Sequence, residues 1–306
     1  MNKIFISLTL ATMLCSAASV ANAQQAFKTP DEAASALVDA AKTGDKKAIV
    51  SVLGPDGNDI VSSGDEVADA ATRQKFVAAY DAKHQIAMEG ENKAVIVIGD
   101  QDYPLPIPII RKDGIWRFDT AAGREEVLAR RIGRNELDAI QSCLAYVDAQ
   151  NDYAANDRTG TGTGVYAQRI VSSPGKKDGL YWPTSQGEDR SPLGELIAEA
   201  TAQGYRVGAG HTPYHGYYFR VLTKQGAAAP GGELEYIVHG KMIGGFALVA
   251  YPAEYRNSGI MTFIVNHTGT VYQKDLGPDT AKLAQRIRSF NPDKTWQTVS
   301  DTAQAR

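Results

Sequence analysis

Apolar residues in this chain recur first at helical and then at alternating spacing, and the sequence passes through that cycle twice. The first cycle opens at Thr29-Pro30-Asp31-Glu32, where a cap, a first-turn proline and two acids predict a helix. Ala33, Ala36, Leu37, Ala40 and Ala41 form its buried face, and Gly44 ends it. Asp45 then caps a second helix with Ile49, Val52 and Leu53 inward, before the turn Gly54-Pro55-Asp56-Gly57. Asp69 to Ala82 reads as a third helix with Phe76, Val77 and Tyr80 on one face. From His84 the period becomes two. Strands are expected over His84–Gly90, Lys93–Gly99, Leu105–Arg111 and Gly114–Asp119, the last pair joined by a tight turn at Lys112-Asp113-Gly114. Pro104, Pro106 and Pro108 favour an edge strand or an extended segment there.

The second cycle starts with Asp119 and Thr120 as a helix start. Gly133 reads as a kink or domain joint. From Gly133 to Asn156 the residues Leu137, Ile140, Leu144 and Val147 make an apolar stripe, against polar Asp138, Gln141, Asp148 and Gln150. Glu126 and Arg130 are spaced for an ion pair along the helix, and Arg130, Arg131 and Arg134 read as a solvated basic face or as partners of nearby acids. A glycine-rich stretch, DRTGTGTG over 157–164, reads as a flexible loop; threonines stand where a calcium loop would use carboxylates. Tyr166 to Ser172 is expected as a short helix or turn, and Pro192 to Ala202 as a helix. Strands follow at 217–222, 246–251, 261–266 and 270–274, with a tight turn at His267-Thr268-Gly269, then a helix over 275–288. Helices packed on an antiparallel sheet, twice over and linked by a long helix, define a two-domain α+β protein. The expected boundaries are 24–120, 121–290 and a tail over 291–306.

The first residues change this picture by removing themselves. Lys3, an apolar run and Ala21-Asn22-Ala23 form a secretory signal peptide over 1–23, which implies a periplasmic or secreted protein with no integral membrane segment after cleavage. Of the two cysteines, Cys15 leaves with the signal and Cys143 stays on the apolar stripe as a buried thiol, so no intramolecular disulfide forms. A net charge of −3 gives no electrostatic footprint for nucleic acid.

Candidate chemistry is sparse. His84, Asp100, Asp102 and Asp119 fall on or beside the first set of strands without a recognisable arrangement. The densest polar and aromatic cluster is His211-Thr212-Pro213-Tyr214-His215-Gly216-Tyr217; Pro213 and Gly216 make it a loop, and it lacks a third metal ligand nearby. His211, Tyr214, His215 and Tyr217, with Trp182, are the candidate ligand- or partner-binding residues; core packing accounts equally for several of the aromatics. No catalytic, metal or cofactor fingerprint appears.

Three resemblances add to this. The order of elements over about 28–120, with its late KDGIWRFD hairpin, resembles cystatin-like and nuclear-transport-factor-2-like domains. The ordered set NELDAI, YVDAQNDY, GYYFR, ALVAYP and FIVNHTGTVY is similar to the globular half of type IV pilins and type II secretion pseudopilins, without their N-terminal apolar helix and prepilin-peptidase site. At full length, the blocks GRNELDAIQ, DGLYWP, TPYHGYYF and GGFALVAYPAEY resemble an exported bacterial family known as a domain of unknown function. That last family implies no activity; the signal peptide, the pilin-like order and the lack of a catalytic constellation lead to the expectation of an exported, non-enzymatic binding or interaction module with an envelope protein partner or a small ligand. The alternative is a periplasmic hydrolase acting on cell-envelope material through the 211–217 loop.

Overall fold

The structure is a computed structural model and describes residues 24–299 apart from 159, 161, 186 and 207–211; the expected signal segment, 1–23, lies outside the described residues. The chain folds as α+β, with antiparallel sheets on either side of one long helix.

The first layer is helical: α1 (Pro30–Thr43), α2 (Lys46–Leu53), α3 (Asn58–Val61) and α4 (Glu66–Ala82). Thr29 Oγ1 accepts from Glu32 N at 3.1 Å to cap α1, and Gly44 closes it in the left-handed region. The third expected helix begins at Glu66 rather than Asp69, because Asp65 is the cap and accepts from Ala68 N at 3.0 Å. Asp69 instead accepts from Ser63 N at 3.0 Å and Ser63 Oγ at 2.7 Å, which fixes the loop before the helix. The helices cover β1 (His84–Met88), β2 (Lys93–Ile98), β3 (Tyr103–Pro104), β4 (Ile109–Lys112) and β5 (Ile115–Phe118), ordered β1-β2-β4-β5 with β3 beside β2. Asp113 and Gly114, at φ 53° and 77°, make the two-residue turn whose twist suits a hairpin. The single strand expected over Leu105–Arg111 is broken, since Pro106 and Pro108 bring no N–H to a ladder. Ile96, Ile109, Trp116 and Phe118 meet Leu37, Val52 and Leu53 in one core.

α5 (Thr120–Ala155) is a single helix of 36 residues, about 54 Å long at 1.5 Å per residue. Asp119 caps it, accepting from Ala122 N at 3.2 Å. The interruption expected at Gly133 does not occur: the helix runs through it, in open space. Packing demands the other glycine. A Cβ on Gly123 would stand 2.6 Å from Pro106 O, so Gly123 lets α5 lie against the first domain. The far half of α5 sends Ala139, Ile140, Cys143, Tyr146 and Val147 into a second core. Gln150, assigned to the polar face, is fully buried; its amide accepts from Ala167 N at 2.9 Å and donates to Ala167 O at 2.8 Å, doing the work of a strand partner.

Beyond α5, the stretch expected as a short helix or turn forms no helix; Tyr166 bridges Met242 and Val171 bridges Tyr181. After α6 (Gly194–Ala202) come β6 (Tyr217–Leu222), β7 (Lys224–Gln225), β8 (Leu234–Glu235), β9 (Ile237–Val238), β10 (Lys241–Met242), β11 (Ala247–Pro252), β12 (Met261–Asn266), β13 (Tyr272–Asp275), α7 (Thr280–Arg286) and β14 (Gln297–Thr298). The main sheet runs β14-β13-β12-β11-β6, so the end of the chain supplies an edge strand. β7 and β8, and β9 and β10, make two small ribbons. Strand alternation aims Phe219 at the α5 side and Arg220 at the α7 side, where its guanidinium donates to Ala284 O and Ile287 O.

Candidate ligand-binding site

The site is built from the turn before β6. Tyr214 and Tyr217 exchange backbone hydrogen bonds of 2.8 and 3.1 Å across His215-Gly216. Both central residues have positive φ, 49° and 75°, as a two-residue hairpin turn of this hand requires. Gly216 is needed twice, because a Cβ there would also stand 2.6 Å from Asn135 Nδ2 of α5.

Left-handed backbone at a histidine is costly, and the surroundings hold it in place. His215 N donates to Tyr205 Oη at 3.2 Å. Its Nδ1 lies 2.9 Å from Asp138 Oδ2 on α5, and its Nε2 lies 3.1 Å from Gln203 Oε1. An imidazolium donates to both oxygens; a neutral ring satisfies both contacts only with the Gln203 amide turned to offer its NH2. Tyr205 Oη in turn donates to Asp65 Oδ2 at 2.8 Å, and Gly216 N donates to the same oxygen at 2.9 Å. Asp65 is 2% exposed and also caps α4. One carboxylate of the first domain thus anchors the turn of the second.

Tyr205 and Tyr214 also line a cavity of about 270 Å³ between α5, α6 and β6. Tyr146, Leu196, Ile197, Phe219 and Leu248 give it an apolar lining together with buried Tyr205, and exposed Arg206 and Thr212 with half-buried Tyr214 form its rim. Burial, and then the fields of Glu199 and Asp138, push the Tyr214 phenol up to about 12, so it is a neutral donor at physiological pH. Among the described residues the Tyr214 hydroxyl and the Arg206 guanidinium have no hydrogen-bond or ion-pair partner.

The five candidates from the sequence do not form one patch. Tyr214 stands on the rim and His215 behind it, in the joint with α5. Tyr217 is fully buried and donates through its hydroxyl to Met261 O at 2.9 Å. Trp182 is 4% exposed, packed edge-on against Tyr153, with Arg158 and Lys177 over its ring. His211 lies outside the described residues. The sequence singles out none of the apolar lining: Tyr146 on α5 and Leu196 and Ile197 on α6 carry no signal of their own, and only the folded chain brings them together.

The remaining titratable candidates are dispersed. His84 stacks on Tyr80, Asp102 pairs with Lys83 at 2.7 Å, and Asp119 caps α5. Burial pushes the Cys143 thiol up to about 12, so it stays protonated and unreactive in the core. Among the described residues no group of three or more His, Cys, Asp or Glu is placed to hold a metal, and no helix is long and apolar enough to cross a membrane.

The chain is thus an α+β protein with antiparallel sheets on either side of one long helix and an apolar cavity between α5, α6 and β6. Residues 24–299 match the model of a family described as a protein of unknown function, DUF2950, and the chain belongs to that family. No curated protein and no solved structure matches it.

Proposed function

We propose that this is an exported, non-enzymatic binding protein of the cell envelope whose second domain holds a small apolar ligand between α5, α6 and β6. The observation that carries the reading is the cavity of about 270 Å³, lined by aliphatic and aromatic side chains from three elements, with Arg206 and Tyr214 as free polar groups among the described residues. That is the usual build of a small-molecule site, at the small end of the size range. The leader sequence supports export, and a helix laid on an antiparallel meander supports the likeness to pilin-type globular domains. The test uses 1-octanol as probe in saturation-transfer NMR. Transfer to the alcohol is expected with the wild-type chain and is expected to vanish in Ile197→Trp, which plugs the cavity. No transfer to wild type, or unchanged transfer in the plugged variant, contradicts the proposal.

One observation favours the hydrolase reading: His215 Nδ1 lies 2.9 Å from Asp138 Oδ2, as in a base and its orienting acid. Its other nitrogen, which would accept the proton, is occupied by Gln203 Oε1 at 3.1 Å. Gln203 therefore counts for a structural pair. His215→Gln is expected to lower stability and leave octanol binding in place; an ester-hydrolysing activity abolished by that change would reverse the ranking.

A further inference from the structure

The cavity's rim says more about its ligand than its walls do. The walls are apolar, and they select only for size and hydrophobicity. A volume of about 270 Å³ has room for about nine or ten non-hydrogen atoms, taking about 30 Å³ per water as the measure. That fits a single short chain or a single ring with a short arm.

Among the described residues the free polar side chains of the lining are the Arg206 guanidinium, which only donates, and the hydroxyls of Tyr214 and Thr212, which can both donate and accept. Among the described residues the guanidinium of exposed Arg206 and the Tyr214 hydroxyl are both uncommitted, and the latter is a neutral phenol. Tyr205 Oη is already spent on Asp65, and Ser142 Oγ on Asp138 O at 2.8 Å. The acids nearest Tyr214 are likewise engaged: Glu199 accepts from Gln203 Nε2 at 3.3 Å, and Asp138 is paired with His215. Among the described residues no carboxylate lines the cavity. A ligand with a donor head, such as an amine, would meet a cation and a hydroxyl already suited to giving its proton. A ligand with an anionic acceptor head would satisfy both free groups while its body fills the apolar space.

Building on the cavity reading above, we infer that the ligand class is a small amphiphilic carboxylate, its head group held by Arg206 and the Tyr214 hydroxyl at the rim and its apolar body seated against Tyr146, Ile197 and Phe219. Arg206 supplies the charge and Tyr214 the direction; α6 and β6 supply the fit.

The experiment compares octanoate, 1-octanol and octylamine by isothermal titration on the mature chain, with Arg206→Gln and Tyr214→Phe as variants. Among the described residues neither the guanidinium nor the hydroxyl has a partner, and Tyr214→Phe keeps the ring that packs on Tyr205 and His215, so both variants are expected to melt like wild type. Octanoate is expected to bind about tenfold or more tighter than octanol, the scale of one charge-assisted contact, with octylamine weakest. Arg206→Gln is expected to bring octanoate down to octanol, and Tyr214→Phe to weaken octanoate several-fold. Equal affinity for acid and alcohol, or preference for the amine, overturns the carboxylate assignment and leaves the cavity reading standing. Failure of all three probes to bind removes both.

Discussion

Asp65 does more than any other single residue to join the two halves. Its carboxylate caps α4 and takes Tyr205 Oη and Gly216 N, all from a position 2% exposed. Asp65→Ala would strand three donors, and a loss of about 3 kcal/mol is expected in urea unfolding, against about 1 kcal/mol for Tyr205→Phe, which deletes one hydroxyl. Ionisation gives a second prediction at this scale. Burial raises the Cys143 thiol and the Tyr214 and Tyr236 phenols to about 12 and pushes those of Tyr146, Tyr205 and Tyr217 up as well. Raised acids stay protonated in the fold while the unfolded chain releases their protons, so stability falls as pH climbs through the ordinary thiol and phenol range. The urea midpoint is expected to drop between about pH 8 and pH 10.5, and an unchanged midpoint would contradict these burials. The sequence marks Ser63-Gly64-Asp65 only as a loop, and Asp65's partners at Tyr205 and Gly216 exist only once the chain has folded back.

At the scale of elements, α5 holds the lesson about glycine. Gly133 sits in open space within a continuous helix, while Gly123 has Pro106 O and Ile107 against it. Gly133→Ala is expected to stabilise by about 0.5–1 kcal/mol, and Gly123→Ala to destabilise by about 1–3 kcal/mol through overpacking. Thermal melts of the two variants, moving in opposite directions, check both. From the sequence the two glycines look alike, and the arginines beside Gly133 make it resemble a boundary. What separates them is contact with a segment more than one element away. Periodicity found the hairpin at Asp113-Gly114, the meander from β11 to β13 and the stripe on α5 because those depend on neighbours in the chain. It misplaced Gln150, which is polar yet buried because the backbone of Ala167 needs a partner there. It also left the cavity invisible, since Tyr146, Ile197 and Phe219 come from three separate elements and read one by one as core.

The whole molecule depends on α5 belonging to both cores. Its first half carries Thr120, whose hydroxyl donates to Leu53 O at 2.6 Å, and Arg124, paired with Asp59. At its middle Arg131 donates to the carbonyls of Asp59 and Ile60 in one domain and to Asn257 Oδ1 in the other. Asn257 returns a bond of 2.8 Å to Ser62 O. Arg131 had read as part of a solvated basic face or as an acid's partner; it spans the joint instead, satisfied by neutral oxygens. The wild-type chain is expected to unfold in one calorimetric transition. Arg131→Met, which removes the bridge and leaves α5 intact, is expected to split or broaden it into two, and a single sharp transition in the variant would show that the domains are coupled by other means.

The central claim, that the second domain binds a small apolar-bodied ligand between α5, α6 and β6, is tested most directly by mapping where such a ligand lands. Titrating octanoate into the isotope-labelled protein and following backbone and methyl resonances gives that map. The account predicts saturable shifts concentrated at Tyr146, Leu196, Ile197, Tyr214 and Phe219, with the first domain unmoved. Shifts that stay absent, or that gather on a surface away from α6 and β6, would contradict it.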